Sequence, residues 1–215
     1  MKKFFMIILP IFLIFMSGCG ESENISAEDK KIPTENISVE KKSEEKILIA
    51  YFSRDGENYE VGNISKGNTK IVAEMIFDKV GGEIFEIKPA KNYPENYREC
   101  TEVAKIEKEK NLRPEYLGEV ENFSDYDVIF LGYPIWWSDM PMIIYNFLEK
   151  NNFSGKKIIP FCTSASDYFI GKNEIEIYAK NSVVFDGLGV RGKNCQENPE
   201  KVRQEVNDWL KNLGF

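Results

Sequence analysis

Histidine is absent from the 215-residue chain. Its absence removes the usual general base and the usual zinc ligand, and it excludes Ser-His and Cys-His hydrolysis within this chain. Cysteine is scarce. The four residues are Cys19, Cys100, Cys162 and Cys195, with no C-x-x-C spacing. The three beyond Cys19 form an odd set, which reads neither as a metal site nor as a disulfide framework. Cys162, in the apolar run IIPFC, reads as a core thiol. Basic charge is in deficit, 28 Lys and Arg against 35 Asp and Glu, for a net charge of −7. No basic patch interleaves with aromatics, so nucleic acid is set aside as a partner, and an acidic surface repels anionic membranes. A full membrane span is missing as well. The apolar run at residues 4–16, interrupted by Pro10, has thirteen residues, short of the ~20 that a spanning helix needs.

What is there begins with that run. Lys2 and Lys3 precede it and Met16-Ser17-Gly18-Cys19 ends it, the layout of a signal-peptide core. Ser17 and Gly18 before Cys19 resemble a bacterial lipoprotein cleavage box, with Met16 where leucine is usual. That resemblance implies a lipid on Cys19 as the first mature residue and residence on the outer face of a bacterial membrane. An ordinary secreted protein and an uncleaved anchor are the alternatives. Residues 20–45 are polar and charged, too poor in apolar side chains to order themselves. They read as a flexible tether reaching on the order of 28 Å. The organisation is therefore a signal peptide (1–18), a lipidated cysteine and tether (19–45), and one domain (46–215), long enough to bury a full core.

Within the domain, apolar strands alternate with helical periods. KILIAYFS (46–53), GEIFEIKP (82–89), DVIFLGYP (127–134), KKIIPFCT (156–163) and SVVFDGLGV (182–190) read as five strands, the last bent near Gly187 and Gly189. Between them, residues 68–80 place Ile71, Val72, Met75, Ile76 and Val80 on one helical face and stop at Gly81-Gly82. Residues 94–110 read as a helix burying Val103, Ala104 and Ile106. Pro141 opens a helix with Ile144, Phe147 and Leu148 inside, residues 171–180 form a short helix, and Asn198-Pro199 caps a last one bearing Val202, Val206, Trp209 and Leu210. This alternation predicts an α/β fold, a doubly wound five-stranded parallel sheet of order 2-1-3-4-5 with helices on both faces. Ligands of such sheets bind beyond the carboxyl ends of the strands.

Three loops leave those ends. The first carries Ser53 and Arg54, then Lys66, Gly67, Asn68 and Thr69 opening a helix. Hydroxyls and free N–H groups at a helix mouth bind a phosphate, and Arg54 and Lys66 add charge. The second, YPIWWSDMP, places Trp136 and Trp137 side by side, so that at least one indole offers a stacking face to a flat heterocycle. The third, TSASDYF, supplies Thr163, Ser164 and Ala165 as a polar edge.

The strand AYFS, the turn GNT, the loop YPIWW and the later FCT and GLGVRG segments resemble the flavodoxin family over residues 46–215. The resemblance implies non-covalently bound FMN. Ser53, Gly67, Asn68 and Thr69 would hold its phosphate, Pro134, Ile135, Trp136 and Trp137 would line the isoalloxazine, and Thr163, Ser164 and Ala165 its pyrimidine edge. A backbone group within 135–138 would bond the flavin N5. Two departures stand out: about eleven extra residues (DGENYEVGNIS) separate Ser53 from KGNT, and SASDYF replaces a glycine-rich turn. The resemblance implies an electron carrier serving redox partner proteins or small acceptors. An FMN-dependent NAD(P)H oxidoreductase acting on quinone-like acceptors, and a binding module that has lost the flavin, are the other readings.

Overall fold

The computed structural model describes residues 45–215. The signal peptide, the lipidation box at Cys19 and all but the last residue of the tether lie outside the described residues. Among the described residues no helix is long and apolar enough to cross a membrane.

Buried apolar runs set the sheet. Strands β1 (Ile47–Tyr51), β4 (Glu83–Glu86), β7 (Val128–Pro134), β8 (Lys157–Ser164) and β10 (Leu188–Arg191) are parallel in the order β4-β1-β7-β8-β10, and β9 (Val183–Val184) also pairs with β8. This is the expected order 2-1-3-4-5, with the fifth strand broken in two. The remaining strands are short pairs outside the sheet: β2 (Gly56–Asn58) with β3 (Gly62–Ile64), and β5 (Lys88–Pro89) with β6 (Tyr116–Leu117).

Successive residues of each strand face opposite sides, so the sheet feeds two cores. One takes Leu48, Ala50, Ile129, Leu131 and Tyr133 against α3 (Met142–Lys150) and Ile175 of α4 (Lys172–Tyr178). The other takes Ile49, Tyr51, Val128, Phe130 and Phe161 against α1 (Asn68–Val80) and α6 (Pro199–Leu213). The α6 stripe of Val202, Val206 and Leu210 is fully buried, each residue contributing about 1.5–3 kcal/mol. Trp209 sits at the edge of that core, 6.0 Å from Phe130 between ring centroids.

Three expectations are corrected. The second strand ends early: Ile87 still donates to Tyr51, but Lys88–Pro89 then turns to β6, where proline has no N–H to give the sheet. Helix α2 spans Tyr97–Glu109 rather than 94–110, because Asn96 caps it by accepting from the Glu99 N–H at 3.1 Å. Its buried side is Cys100 and Ala104, not Ile106, which is 46 % exposed. The fifth strand breaks because loop 163–169 presses on it. A Cβ on Gly187 would lie 2.5 Å from the Phe169 ring, and one on Gly189 2.3 Å from the Tyr168 backbone. A helix not expected from the sequence, α5 (Gly192–Glu197), follows β10 at once.

Candidate functional site

The loops that follow β1, β7 and β8 enclose one cleft of about 470 Å³ at the carboxyl end of the sheet, within the size range of small-molecule sites. Its first wall is the mouth of α1. The helix starts at Asn68 with Gly67 as the preceding cap residue. Ser53, seventeen positions upstream of Lys70, accepts the Lys70 N–H on its Oγ at 3.0 Å. Among the described residues the N–H groups of Asn68 and Thr69 have no acceptor. They are the open donors of the first turn, at the positive end of the helix dipole. Gly67 is required by proximity rather than by backbone angle. Its φ is −65°, yet a Cβ there would lie 2.2 Å from Ser53 Oγ and 2.5 Å from the Arg54 carbonyl oxygen.

Thr69 is 1 % exposed and its hydroxyl lies 2.8 Å from that of Thr163, itself 4 % exposed. This bond ties the helix mouth to the end of β8. The Asn68 side chain accepts from Gln196 of α5 at 2.7 Å. Arg54 lines the cleft, but its guanidinium is occupied by the carbonyls of Pro94 at 2.6 Å, Glu95 at 2.5 Å and Glu57. It holds a loop and keeps its charge beside the cleft. Lys66 does not reach the cleft: it pairs with Glu74 at 2.8 Å on the outer side of α1.

The second wall is a tight turn. Trp136 and Asp139 exchange backbone bonds of 2.9 and 3.1 Å, and the two central residues, Trp137 and Ser138, have φ of 51° and 58°. Both central residues are left-handed, as in a type I′ turn, so the adjacent indoles diverge. Trp136 wedges inward, edge-on to Phe52 at 5.3 Å and Tyr93 at 4.9 Å. Trp137 is 50 % exposed. It is fixed by donation from its Nε1 to the Thr101 carbonyl at 2.9 Å and by the Lys105 ammonium 5.7 Å from its ring centre. Lys108 braces the turn from outside through the Trp137 carbonyl at 2.8 Å and Asp139 at 3.1 Å. Asp139 in turn accepts from Tyr145 at 2.7 Å, and burial, then this carboxylate, push the Tyr145 phenol upward. The N–H groups of Trp137 and Ser138 have no acceptor among the described residues.

The third wall is Thr163, Ser164 and Ala165. Thr163 accepts the Ile135 N–H at 2.9 Å, joining the second and third loops. Ser164 folds its hydroxyl onto the Ser166 N–H at 3.0 Å, a local turn that does without glycine.

Ser53, Arg54, Asn68, Thr69, Pro134, Ile135, Trp136, Trp137, Thr163, Ser164 and Ala165 thus line one cleft, while Gly67 shapes it from behind. Sequence reasoning missed further lining groups, Gly192 and Lys193 at the start of α5 among them. Asn58, Tyr59 and Glu60 come from the extra segment, and Tyr97, Cys100, Thr101 and Ala104 from α2. The group from the extra segment was signalled by an insertion at the ligand edge. For the α2 group, the helical pattern named Ala104 as buried and left the rest unmarked. Burial pushes both the Cys100 thiol and the Tyr97 phenol upward, Cys100 against the nearby Arg54 charge.

The family model for flavodoxin matches residues 46–213. Among solved structures, a presumed flavoprotein of Bacteroides eggerthii shares 28 % identity with a TM-score of 0.59, covering 80 % of this chain and 99 % of its own. A presumed flavoprotein of Bacteroides uniformis, also 28 % identical with a TM-score of 0.59, covers 78 % of this chain and 98 % of its own. A flavoprotein of Lactobacillus acidophilus, solved in complex with FMN, is 21 % identical with a TM-score of 0.52 over 72 % of this chain and 98 % of its own, a likeness of fold. No curated protein matches the chain. With the match spanning nearly all of the described domain, the chain belongs to the flavodoxin family.

Proposed function

We propose that the protein binds FMN in this cleft and carries electrons between redox partners at the outer face of a bacterial membrane, held there by a lipid on Cys19. The observation that carries the reading is the meeting, in one cleft, of the open first turn of α1 and the double-tryptophan turn, on a flavodoxin-family fold. The residues fit the group. Gly67 lets the chain close around an anion, and the Asn68 and Thr69 N–H groups are free to receive one. A helix mouth favours a phosphate by about 0.3–1 kcal/mol through its dipole alone, and up to ~2 kcal/mol where partly buried. Trp137 presents an indole face that its bond to Thr101 holds in place, and the Trp137 and Ser138 N–H groups are donors for a polar ring edge.

When bound, FMN supplies the electron-transfer chemistry. Burial pushes the Cys100 thiol and the Tyr97 phenol beside the cleft upward, and histidine is absent. The membrane part of the reading rests on the Ser17-Gly18-Cys19 box and the polar stretch that follows it.

Titrating the purified protein with FMN tests the first half. Saturable quenching of flavin fluorescence is expected, and a protein that takes up no FMN overturns the reading. Anaerobic addition of NADH or NADPH should leave the loaded protein yellow; rapid bleaching would replace the carrier with a reductase. Cys19→Ser should move the protein out of the membrane fraction, and an unchanged distribution would remove the lipid anchor.

A further inference from the structure

The extra segment between Ser53 and Lys66 folds as the β2–β3 hairpin, and its two ends are held differently. The base is bolted to the start of α2. The Glu57 N–H donates to the Glu95 carbonyl at 3.0 Å, the Glu57 carboxylate accepts from the Tyr97 N–H at 2.9 Å and from Asn96 Nδ2 at 2.8 Å, and the Arg54 guanidinium spans the carbonyls beneath. The tip crosses to the other side of the cleft. There Glu60, at φ 63°, accepts from Arg191 Nη2 on both carboxylate oxygens, at 3.0 and 3.2 Å. Arg191 closes β10, and the next two residues, Gly192 and Lys193, line the cleft beside Asn68 and Thr69. The hairpin therefore lies across the anion end. Among the described residues this pair is the one polar tie from the tip to the far wall, and Tyr59 beside it is 57 % exposed. The carboxylate itself is otherwise out of place, because a negative charge at an anion site opposes the anion. Its pairing with Arg191 explains its position.

We propose that the Glu60–Arg191 pair latches the hairpin tip over the phosphate end of the cleft and sets how fast a bound phosphate-bearing ligand leaves. The proposal rests on the FMN reading above. The latch is partly screened, with Glu60 29 % and Arg191 45 % exposed at the side chain, so its effect is that of a surface ion pair, about two- to fivefold in rate.

Release is measured by diluting the FMN-loaded protein and following the return of flavin fluorescence, for the wild type, Glu60→Gln, Arg191→Gln and the exchange Glu60→Arg with Arg191→Glu. The two single variants change the charge of the cleft in opposite senses. A latch predicts faster release from both, near wild-type release from the exchange, and a wild-type release rate that rises with salt more steeply than that of Glu60→Gln. Opposite effects of the two single variants, slower for Glu60→Gln and faster for Arg191→Gln, would reduce the pair to simple electrostatics and overturn the latch, as would unchanged rates. Far-UV circular dichroism and the thermal midpoint of each variant confirm that the fold is kept. A wild type that binds no FMN overturns the functional reading, and the latch with it. FMN binding with unaltered release overturns the latch alone.

Discussion

The hydroxyl pair Thr69–Thr163 makes a claim about the site that a mutant cycle can refute. The two side chains are 1 % and 4 % exposed and 2.8 Å apart. Each Thr→Val substitution keeps the shape and leaves the other hydroxyl buried without its partner. That loss costs about 1–3 kcal/mol. For a domain of this size, it lowers the thermal midpoint by roughly 2–4 °C per kcal/mol. Removing both hydroxyls strands nothing, so Thr69→Val with Thr163→Val should lie within about 1 kcal/mol of the wild type, and the coupling energy, the two single costs less that of the double, should be at least about 1 kcal/mol in the cycle. Urea unfolding with a constant m-value measures all four corners. Single variants without cost, or a double variant that pays the sum of both, would show that the bond does not brace the loops. Ligand affinity separates the second role. The pair holds two protons and uses one, leaving the other for an anion at the helix mouth. The double variant should keep its stability and bind FMN more weakly by about 1–3 kcal/mol, the value of a bond to a charged acceptor. An unchanged affinity would remove Thr69 from the phosphate contacts.

Three further outcomes test other parts of the structure. Gly67→Ala places a methyl 2.2 Å from Ser53 Oγ and 2.5 Å from the Arg54 carbonyl, so overpacking costs about 1–3 kcal/mol. Gly155→Ala, with open space but φ of +77°, should cost only about 1–2 kcal/mol of left-handed strain and leave FMN affinity untouched; equal FMN losses in the two would contradict the cradle. Glu107, whose carboxyl accepts from Tyr93 at 2.9 Å, is raised above the ordinary carboxylate range by burial, with the Tyr93 bond opposing. The folded state then holds this proton more tightly than the unfolded chain does, so stability falls as pH rises from the unfolded value through the folded one. Glu107→Gln should flatten that decline and gain stability at pH 7 but not at pH 4, which urea midpoints at the two pH values would check. Trp137→Ala should change the fluorescence of bound flavin with little loss of stability, and Trp209→Ala, packed on Phe130, the reverse.

The elements that sequence made legible are those whose cause is local. Strands β1, β7 and β8 are near-continuous apolar runs because both faces of a parallel sheet are covered, and the α6 stripe shows its period directly. The broken fifth strand was visible only as Gly187 and Gly189. Its cause, the Phe169 ring lying on Gly187 and the backbone of Asp167–Phe169 on Gly189, is a contact between segments about twenty residues apart. Helix α2 misled for a related reason. Ile106 is the larger apolar residue, yet the face turned inward carries Cys100 and Ala104, because it faces a cleft and not the centre of the sheet. At the site, Ser53, Asn68 and Thr69 could be read from a strand-turn-helix pattern, whereas Tyr97 and Thr101 lie on a helix whose docking no local signal reveals. The charges offered by Arg54 and Lys66 illustrate the same limit: residue type was readable, but not whether a loop or a neighbouring glutamate had already claimed the side chain.

The long gap between Ser53 and Lys66 explains how the anion cradle survives an insertion. A loop lengthened by random coil would add conformational freedom beside the bond from the Lys70 N–H to Ser53. A hairpin instead returns the chain to its start, because paired antiparallel strands lie only about 4.5–5.5 Å apart. β2 and β3 pair Gly56 with Ile64, so the chain leaves and re-enters the first loop at nearly one place. Ser53 still caps α1 at 3.0 Å, and Gly67 still packs on Ser53. The added closure entropy is small, since doubling a loop costs only about 0.6 kcal/mol. The anchoring of the base by Arg54 and Glu57 to residues 94–97 acts against that cost. The cradle and the roof are therefore separable parts: one is built from the first loop and the helix mouth, the other from a self-paired segment joined to the rest at its base and at Glu60. Variation in the roof can change how a ligand enters and leaves without rebuilding the groups that bind it. That is the physical ground for varying residues 55–65 separately from Ser53 and Gly67–Thr69 when the two parts are tested.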